Sequence, residues 1–492
     1  MPPLPVALAE WRPDIALLDV QFSADVENVF VGANSYLPIP SLLPFAGGTP
    51  LPGPCVGLFS ARTSDGVWQI YAGTRTGLFK YGIGGWIDVS RTTGGAYNVP
   101  TGGELWSFAQ FGDHLVAVQI GDVPQEINIK TGTNFIALAG SPPIAHKVSQ
   151  VGDFLVLSGL LSNQRKIIWC GINDIYMWTV GTNLCDEQEF PDGGIVQGVA
   201  GGEIGYVVQD RAIRLMQFLP GDTATIFSFT RVVQDRGSIS EFGYTTIANV
   251  LYFLAEDGFY ALSGSQLTPI GNEKVNEWFL ANTDPGRRNV VQAITANKPW
   301  VAWATHSGSS PQQYDMVILY NWGLDRWARM TEFAQMWATM ASAGLDLDTD
   351  GTEPGDADLD SNAQPLDSFL YEAGRPLVCA VDINGFLCAL AGPNLQATLE
   401  SAEMHLVPGQ RAFVDEVYPL IDAPDVVISV GTRERLQDDR VWTPPQSLEV
   451  TGSATVQTSS RLHRFKMIAP RGSVWTHAQG FLADAQPDGT KA

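Results

Sequence analysis

The feature that most constrains this chain is a repeated device, two apolar runs joined by a tight turn. Residues 68–82 are one copy, with the turn at Thr76-Gly77. Residues 206–216 turn at Asp210-Arg211, 251–262 at Asp257-Gly258, and 378–390 at Asn384-Gly385. Asp-Gly and Asn-Gly supply the positive φ that tight hairpins need. Residues 111–119 and 151–159 share a Gly-Asp-x-Leu-Val core, forty residues apart. Residues 315–330 add a strand pair whose Trp322 and Trp327 are expected to pack between sheets. Hairpin centres mark roughly seven units between about 60 and 395, each of roughly 40 to 60 residues, which is the span of a propeller blade.

A lone hairpin cannot bury both faces, whereas blades packed around an axis bury both and leave only short edges. The expected fold is therefore all-β: a β-propeller of about seven blades, with six or eight as the alternatives. A chain of 492 residues is too long for one simple layer architecture, so the ends need their own account. Residues 1–60 are Pro-rich with little periodicity and read as an extended arm. Residues 61–395 hold the propeller. Residues 396–492 alternate as strands at 411–421, 426–436, 447–456, 461–470 and 474–485. That pattern reads as a C-terminal β-sandwich-like region, some of whose strands could instead return to close the ring.

Charge limits function. The formal net charge is −23, while neutralising phosphates takes surplus Lys and Arg. Tight, non-specific DNA binding over most of the surface is therefore not expected. Local basic spots remain at Arg287-Arg288 and at 461–466. In the second, Arg461 and His463 share one strand face while Arg464 and Lys466 oppose Phe465, which suits a subunit contact or solvated face better than base readout. The five cysteines are odd in number and form no CxxC, so neither a disulfide framework nor a zinc knuckle is expected, and a reducing cytoplasm fits. Cys379 and Cys388 read as small core residues, diagonal across a turn that pairs 381 with 388. The first residues lack a basic segment and an uninterrupted apolar run, and no window has the length of a membrane span.

Catalytic patterns are sparse. None of the six histidines forms an HExxH pair, and neither a GxSxG elbow nor a GxxxxGK[ST] loop occurs. A glycosidase propeller needs two carboxylates across its cavity. Glu256-Asp257 and the group Asp186, Glu187 and Glu189 are the nominees, yet Asp257 already serves a turn and the Asp186 group reads as an exposed loop. The expectation is a protein without enzymatic activity.

Residues 344–360 carry seven acids and no Lys or Arg. Asp346, Asp348 and Asp350, followed by Gly351, match the first half of a calcium loop of EF-hand type. The second half departs: Ala357 stands where a bidentate Glu belongs, and Pro354 at the ninth position. Two readings compete, a calcium site and a solvated insertion, and the composition suits a segment that cannot bury itself. The insertion, 344–367, is expected between two late blades. No other cofactor is expected.

Several short motifs carry a resemblance. They are Glu10-Trp11-Arg12-Pro13-Asp14, Asn28-Val29-Phe30, and Pro38-Ile39-Pro40-Ser41-Leu42 near the start. Gly271 to Phe279 follows in mid-chain. Arg464-Phe465-Lys466, Trp475 to Gly480 and Pro487-Asp488-Gly489 lie near the end. In this order they resemble the tail nozzle, or packaged-DNA stabilisation, proteins of short-tailed bacteriophages. Phe30-Val31 departs from that pattern, which has Pro there. The resemblance implies a structural virion protein, made in the host cytoplasm and built into the tail as a homo-oligomeric ring, typically of six subunits. Its implied partners are adaptor or connector proteins and other tail proteins. Double-stranded DNA would be retained behind the ring and pass through it without sequence-specific binding. An acidic lumen would suit that passage, because it repels phosphates. From another class, a glycan-binding or glycan-degrading propeller is the alternative.

Overall fold

The computed structural model describes residues 3–45, 48–82, 85–221, 225–295, 299–308, 313–341 and 376–488. Among them the strands form nine sheets, seven of four strands and two of six. The seven are propeller blades. Their first strands are Cys55–Arg62, Ser107–Phe111, Ala145–Val151, Val196–Ala200, Tyr244–Ile247, Gln292–Thr295 and Met336–Ala341. Each contacts the next, and the seventh contacts the first, so the ring closes at seven.

Local turn chemistry explains the hairpins. The two Gly-Asp-x-Leu-Val copies occupy the same place, the turn between first and second strands of blades two and three. Gly112 and Gly152 hold φ of 57° and 52° there, as a glycine at the first central position of a II′ turn must. Two expected turns shift. In blade five the turn residues are Glu256-Asp257, because Gly258 already pairs with Ala255. In blade seven Val381 pairs with Leu387, not with Cys388. Asp382 accepts hydrogen bonds from the Asn384 and Phe386 amides, which holds a three-residue loop with Gly385 left-handed. Cys388 therefore sits opposite Ala380, which puts it and Cys379 on opposite faces of the sheet instead of diagonal on one face, and both thiols are buried and free.

Blade seven takes its fourth strand from the other end of the chain. Pro40–Pro44 pairs with Leu387–Asn394, setting Leu43 opposite Ala389. Ser41 Oγ adds a hydrogen bond to the Pro393 carbonyl at 2.7 Å. The ring is thus latched by N-terminal residues and not by C-terminal strands. The acidic stretch with Asp346, Asp348 and Asp350 lies outside the described residues. The strands on either side of it, Met336–Ala341 and Pro376–Val381, are hydrogen-bonded neighbours, so it interrupts blade seven instead of separating two blades.

The six-stranded sheets make a sandwich that uses both chain ends. In one, Ala478–Asp488 pairs with Arg411–Ile421 on one side and with Leu4–Ala7 and Tyr36–Pro38 on the other. In the second, Ser23–Glu27 pairs with Ala397–Ser401, which pairs with Leu462–Ala469 and so reaches Val427–Arg433. Val417, Phe481 and Ala483 of the first sheet and Val430, Phe465 and Met467 of the second are buried in one core, with the Phe465 and Phe481 rings 5.7 Å apart. The N-terminal residues, expected as an extended arm, are therefore five short strands. Pro5, Pro40 and Pro44 sit on edge strands, where a missing N–H can face away from the ladder. Gly480 permits this arrangement, since a Cβ there would lie 2.3 Å from the Val6 carbonyl oxygen. The strand expected over 447–456 instead breaks at a turn around Gly452, with Ala454–Ser460 beyond it.

Sandwich and propeller meet at one aromatic and ionic junction. Trp11 is fully buried, edge-on to Trp278 at 5.0 Å. Trp278 belongs to the helix α1, Asn276–Asn282, which has no capping side chain of its own. Asp14 supplies the cap, accepting from the Glu277 and Trp278 amides at 2.9 and 2.8 Å. Lys274 pairs with Glu10 at 3.0 Å. Arg329 of blade six pairs with Asp25 and Glu27. The expectation for the blade-six tryptophans divides: Trp327 is fully buried, while Trp322 is 43% exposed in the turn after its strand. Trp11→Ala is expected to cost about 3–5 kcal/mol, the usual loss for a buried large aromatic. Asp14→Ala is expected to cost about 1 kcal/mol, as a lost cap. Urea denaturation of each variant measures both.

Candidate functional site

The first strands of the seven blades enclose an axial chamber of about 540 Å³. Its wall on blades one and two is aromatic: Phe59, Trp106 and Phe108, with Phe59 and Phe108 stacked at 5.9 Å. Trp106 is held by a hydrogen bond to the Thr74 carbonyl and by two glycines. A Cβ at Gly73 would lie 2.2 Å from its ring, so only glycine fits there. The opposite wall carries Lys147, Phe242 and Tyr244. Tyr244 reaches its place because Gly198 has no side chain; a Cβ there would lie 2.0 Å from the hydroxyl.

Charge gathers at the mouth where these strands begin. Lys147 Nζ donates to the Glu241 carbonyl at 2.7 Å and lies 3.8 Å from the Phe242 ring centroid. His146 Nδ1 meets the Glu241 carboxylate at 2.9 Å. Burial lowers the Lys147 ammonium to about 8, against the pull of Glu241. Burial alone would also lower His146, but the hydrogen bond and charge of Glu241, with the charge of Glu104, outweigh it and raise it. The mouth therefore holds two carboxylates, Glu104 and Glu241, around one histidine and one lysine. Among the lining residues described, Lys147 is the one that carries charge.

The carboxylates nominated from sequence lie elsewhere. Asp257 is held by Arg236 at 2.9 Å and by the Tyr260 hydroxyl at 2.8 Å, at a turn of blade five. Asp186, Glu187 and Glu189 form the outermost strand of blade three, Asp186–Glu189, and not a loop. Glu187 pairs there with Lys166. None of these lines the chamber. Sequence reasoning missed Glu104 and Glu241. Their one signal is position: 104 and 241 each precede by three residues a blade's first strand, at 107 and 244. That signal has meaning only once the blades are in register.

The basic strand is paired within the chain. Arg464 and Lys466 both pair with Glu400 on the neighbouring strand, Lys466 at 2.7 Å. Arg433 and Arg440 likewise share the buried Glu403. Among the histidines, His114 bonds Glu126 and His405 bonds Asp19. His306 and His463 are buried. Burial pushes both down to about 4. Asp346, Asp348 and Asp350 lie outside the described residues, and among those described no cluster of His, Cys, Asp or Glu is arranged to hold a metal ion. Nor is any described helix long and apolar enough to cross a membrane.

No protein-family model matches the chain, and no curated protein does. Among solved structures, the crystal structure of the computationally designed Ika8 protein aligns with a TM-score of 0.37 and 9% identity, over 78% of this chain and 99% of that one. The propeller rests on its seven four-stranded sheets and their closed ring of contacts.

A histidine kept neutral by burial makes folding favour the deprotonated form. Stability is then full above the unfolded value of 6.5 and falls as pH drops toward about 4. Each such histidine contributes a slope of at most about 1.4 kcal/mol per pH unit. His463→Leu is expected to flatten this fall. Denaturant midpoints measured between pH 7 and 4 test it, and an unchanged slope contradicts it.

Proposed function

We propose that this chain is a structural, non-enzymatic virion protein: a subunit of a homo-oligomeric ring, of six copies, forming the nozzle or hub of a short phage tail. The ring holds packaged DNA back and lets it pass during ejection, in contact with adaptor or connector proteins and other tail proteins. The observation that carries this reading is where the resembling motifs meet. Glu10, Trp11 and Asp14 of the first motif pack on Lys274, Glu277 and Trp278 of the mid-chain motif. Asn28 bridges blade six and the sandwich, accepting from the Thr331 amide and donating to the Gln396 carbonyl. Pro40–Pro44 closes the ring of blades. Motifs scattered over the sequence thus fix one rigid relation between propeller and sandwich, which a ring subunit needs.

Chamber size and charge support the same reading. A B-form duplex, whose major groove alone is about 12 Å wide and about 8.5 Å deep, does not fit a chamber of 540 Å³. DNA would pass between subunits, beside the propellers. A net charge of −23 keeps such a wall from gripping phosphates. Native mass spectrometry of the purified chain is expected to show a closed ring of six, and duplex DNA is expected not to be retained at about 0.15 M salt. A strict monomer that is absent from purified phage particles contradicts the proposal. The second reading, a glycan-binding propeller, is favoured by the aromatic wall and neutral polar lining of the chamber.

A further inference from the structure

We infer that the axial chamber binds an acidic pyranose, a sugar ring carrying one carboxylate, with Lys147 as the carboxylate partner. This deepens the glycan-binding reading and rests on it; it does not depend on ring assembly. A chamber of 540 Å³ has the volume of a site for a small ligand. Its lining divides by chemistry. Phe59 and Phe108, half-buried and backed by the buried Trp106, offer apolar ring faces against which the C–H face of a pyranose can lie. Facing them are neutral polar groups. Among them are the Ser149 and Thr245 hydroxyls and the Gln150 amide, which can meet ligand hydroxyls.

Charge selects the acid. Lys147 is the sole charged residue in the described lining, and its ammonium donates one hydrogen bond to the Glu241 carbonyl. Two donors remain for a carboxylate. A neutral sugar would leave the remaining N–H groups of this ammonium without an anionic acceptor. A phosphate ester would bring more negative charge than one ammonium balances, with Glu241 and Glu104 close by at the mouth. An apolar carboxylate would make no use of the Ser149 and Thr245 hydroxyls.

The test uses the full chain, with D-glucuronate, D-glucose and cyclohexanecarboxylate as probes, read by calorimetric titration and ligand-observed saturation-transfer NMR. Glucuronate is expected to bind saturably, with both other probes at least about tenfold weaker, which corresponds to about 1.4 kcal/mol. Lys147→Gln and Phe59→Leu are each expected to weaken glucuronate about tenfold or more. Wild-type protein gives a check that needs no variant. Glucuronate affinity should fall as pH rises through about 8, where Lys147 loses its proton, while glucose affinity, which also reports any effect of His146, stays level. If neither sugar binds, the glycan reading fails and takes this inference with it. If glucose binds as tightly as glucuronate, or Lys147→Gln binds glucuronate unchanged, the acid-sugar inference fails while the glycan reading stands. If cyclohexanecarboxylate equals glucuronate, the chamber is an anion site and the inference is overturned.

Discussion

Closure of the blade ring is the constraint on which everything else in this molecule depends. Each blade has two apolar faces, and a face is buried only if a neighbour covers it. An open arc of seven blades would expose one face at each end and leave the outer edge of Leu387–Asn394 unpaired. The strand Pro40–Pro44 removes that edge by pairing with it. Because the latch precedes blade one in sequence, the two ends of the propeller become one covalent and hydrogen-bonded unit. Contacts between Met336–Ala341 and Cys55–Arg62 complete the circle. The axial chamber exists only because of this closure, since all seven first strands line it.

The same N-terminal residues tie the propeller to the sandwich. Between Leu4 and Pro44 the chain passes from one sandwich sheet to the other, back again, and then into blade seven. On the way it caps α1 through Asp14 and pairs Asp25 and Glu27 with Arg329. A buried tryptophan contact and partly buried ion pairs resist relative rotation differently: the rings fix distance, and the bidentate Arg329–Asp25 contact fixes orientation. Two sheet systems held so many ways behave as one block. That is the mechanical property the proposed ring subunit would need.

Much of the propeller was legible because turn chemistry is local. Gly112, Gly152 and Gly385 announce their hairpins by residue type alone. Ring closure was not legible, because nothing near Pro40–Pro44 encodes its partner some 350 residues away, Leu387–Asn394. The Pro-rich start looked like an arm for the same reason: prolines bar a central strand but not an edge. Trp322 was misjudged because its neighbour Trp327 shares its composition but sits within the strand, while Trp322 begins the turn. The site was the least legible part. Acid-rich runs drew attention to Asp186, Glu187 and Glu189. The mouth of the chamber instead uses single acids, Glu104 and Glu241, whose placement follows from blade register and not from local pattern.

The central claim is that this chain builds a ring whose DNA path lies outside every propeller. Cryo-electron microscopy of the assembled tail tests it most directly. The account predicts six copies around a lumen wide enough for a duplex, with propeller axes displaced from it and their chambers free of DNA. Density for a duplex along a propeller axis, or tails that lack the chain altogether, would contradict it.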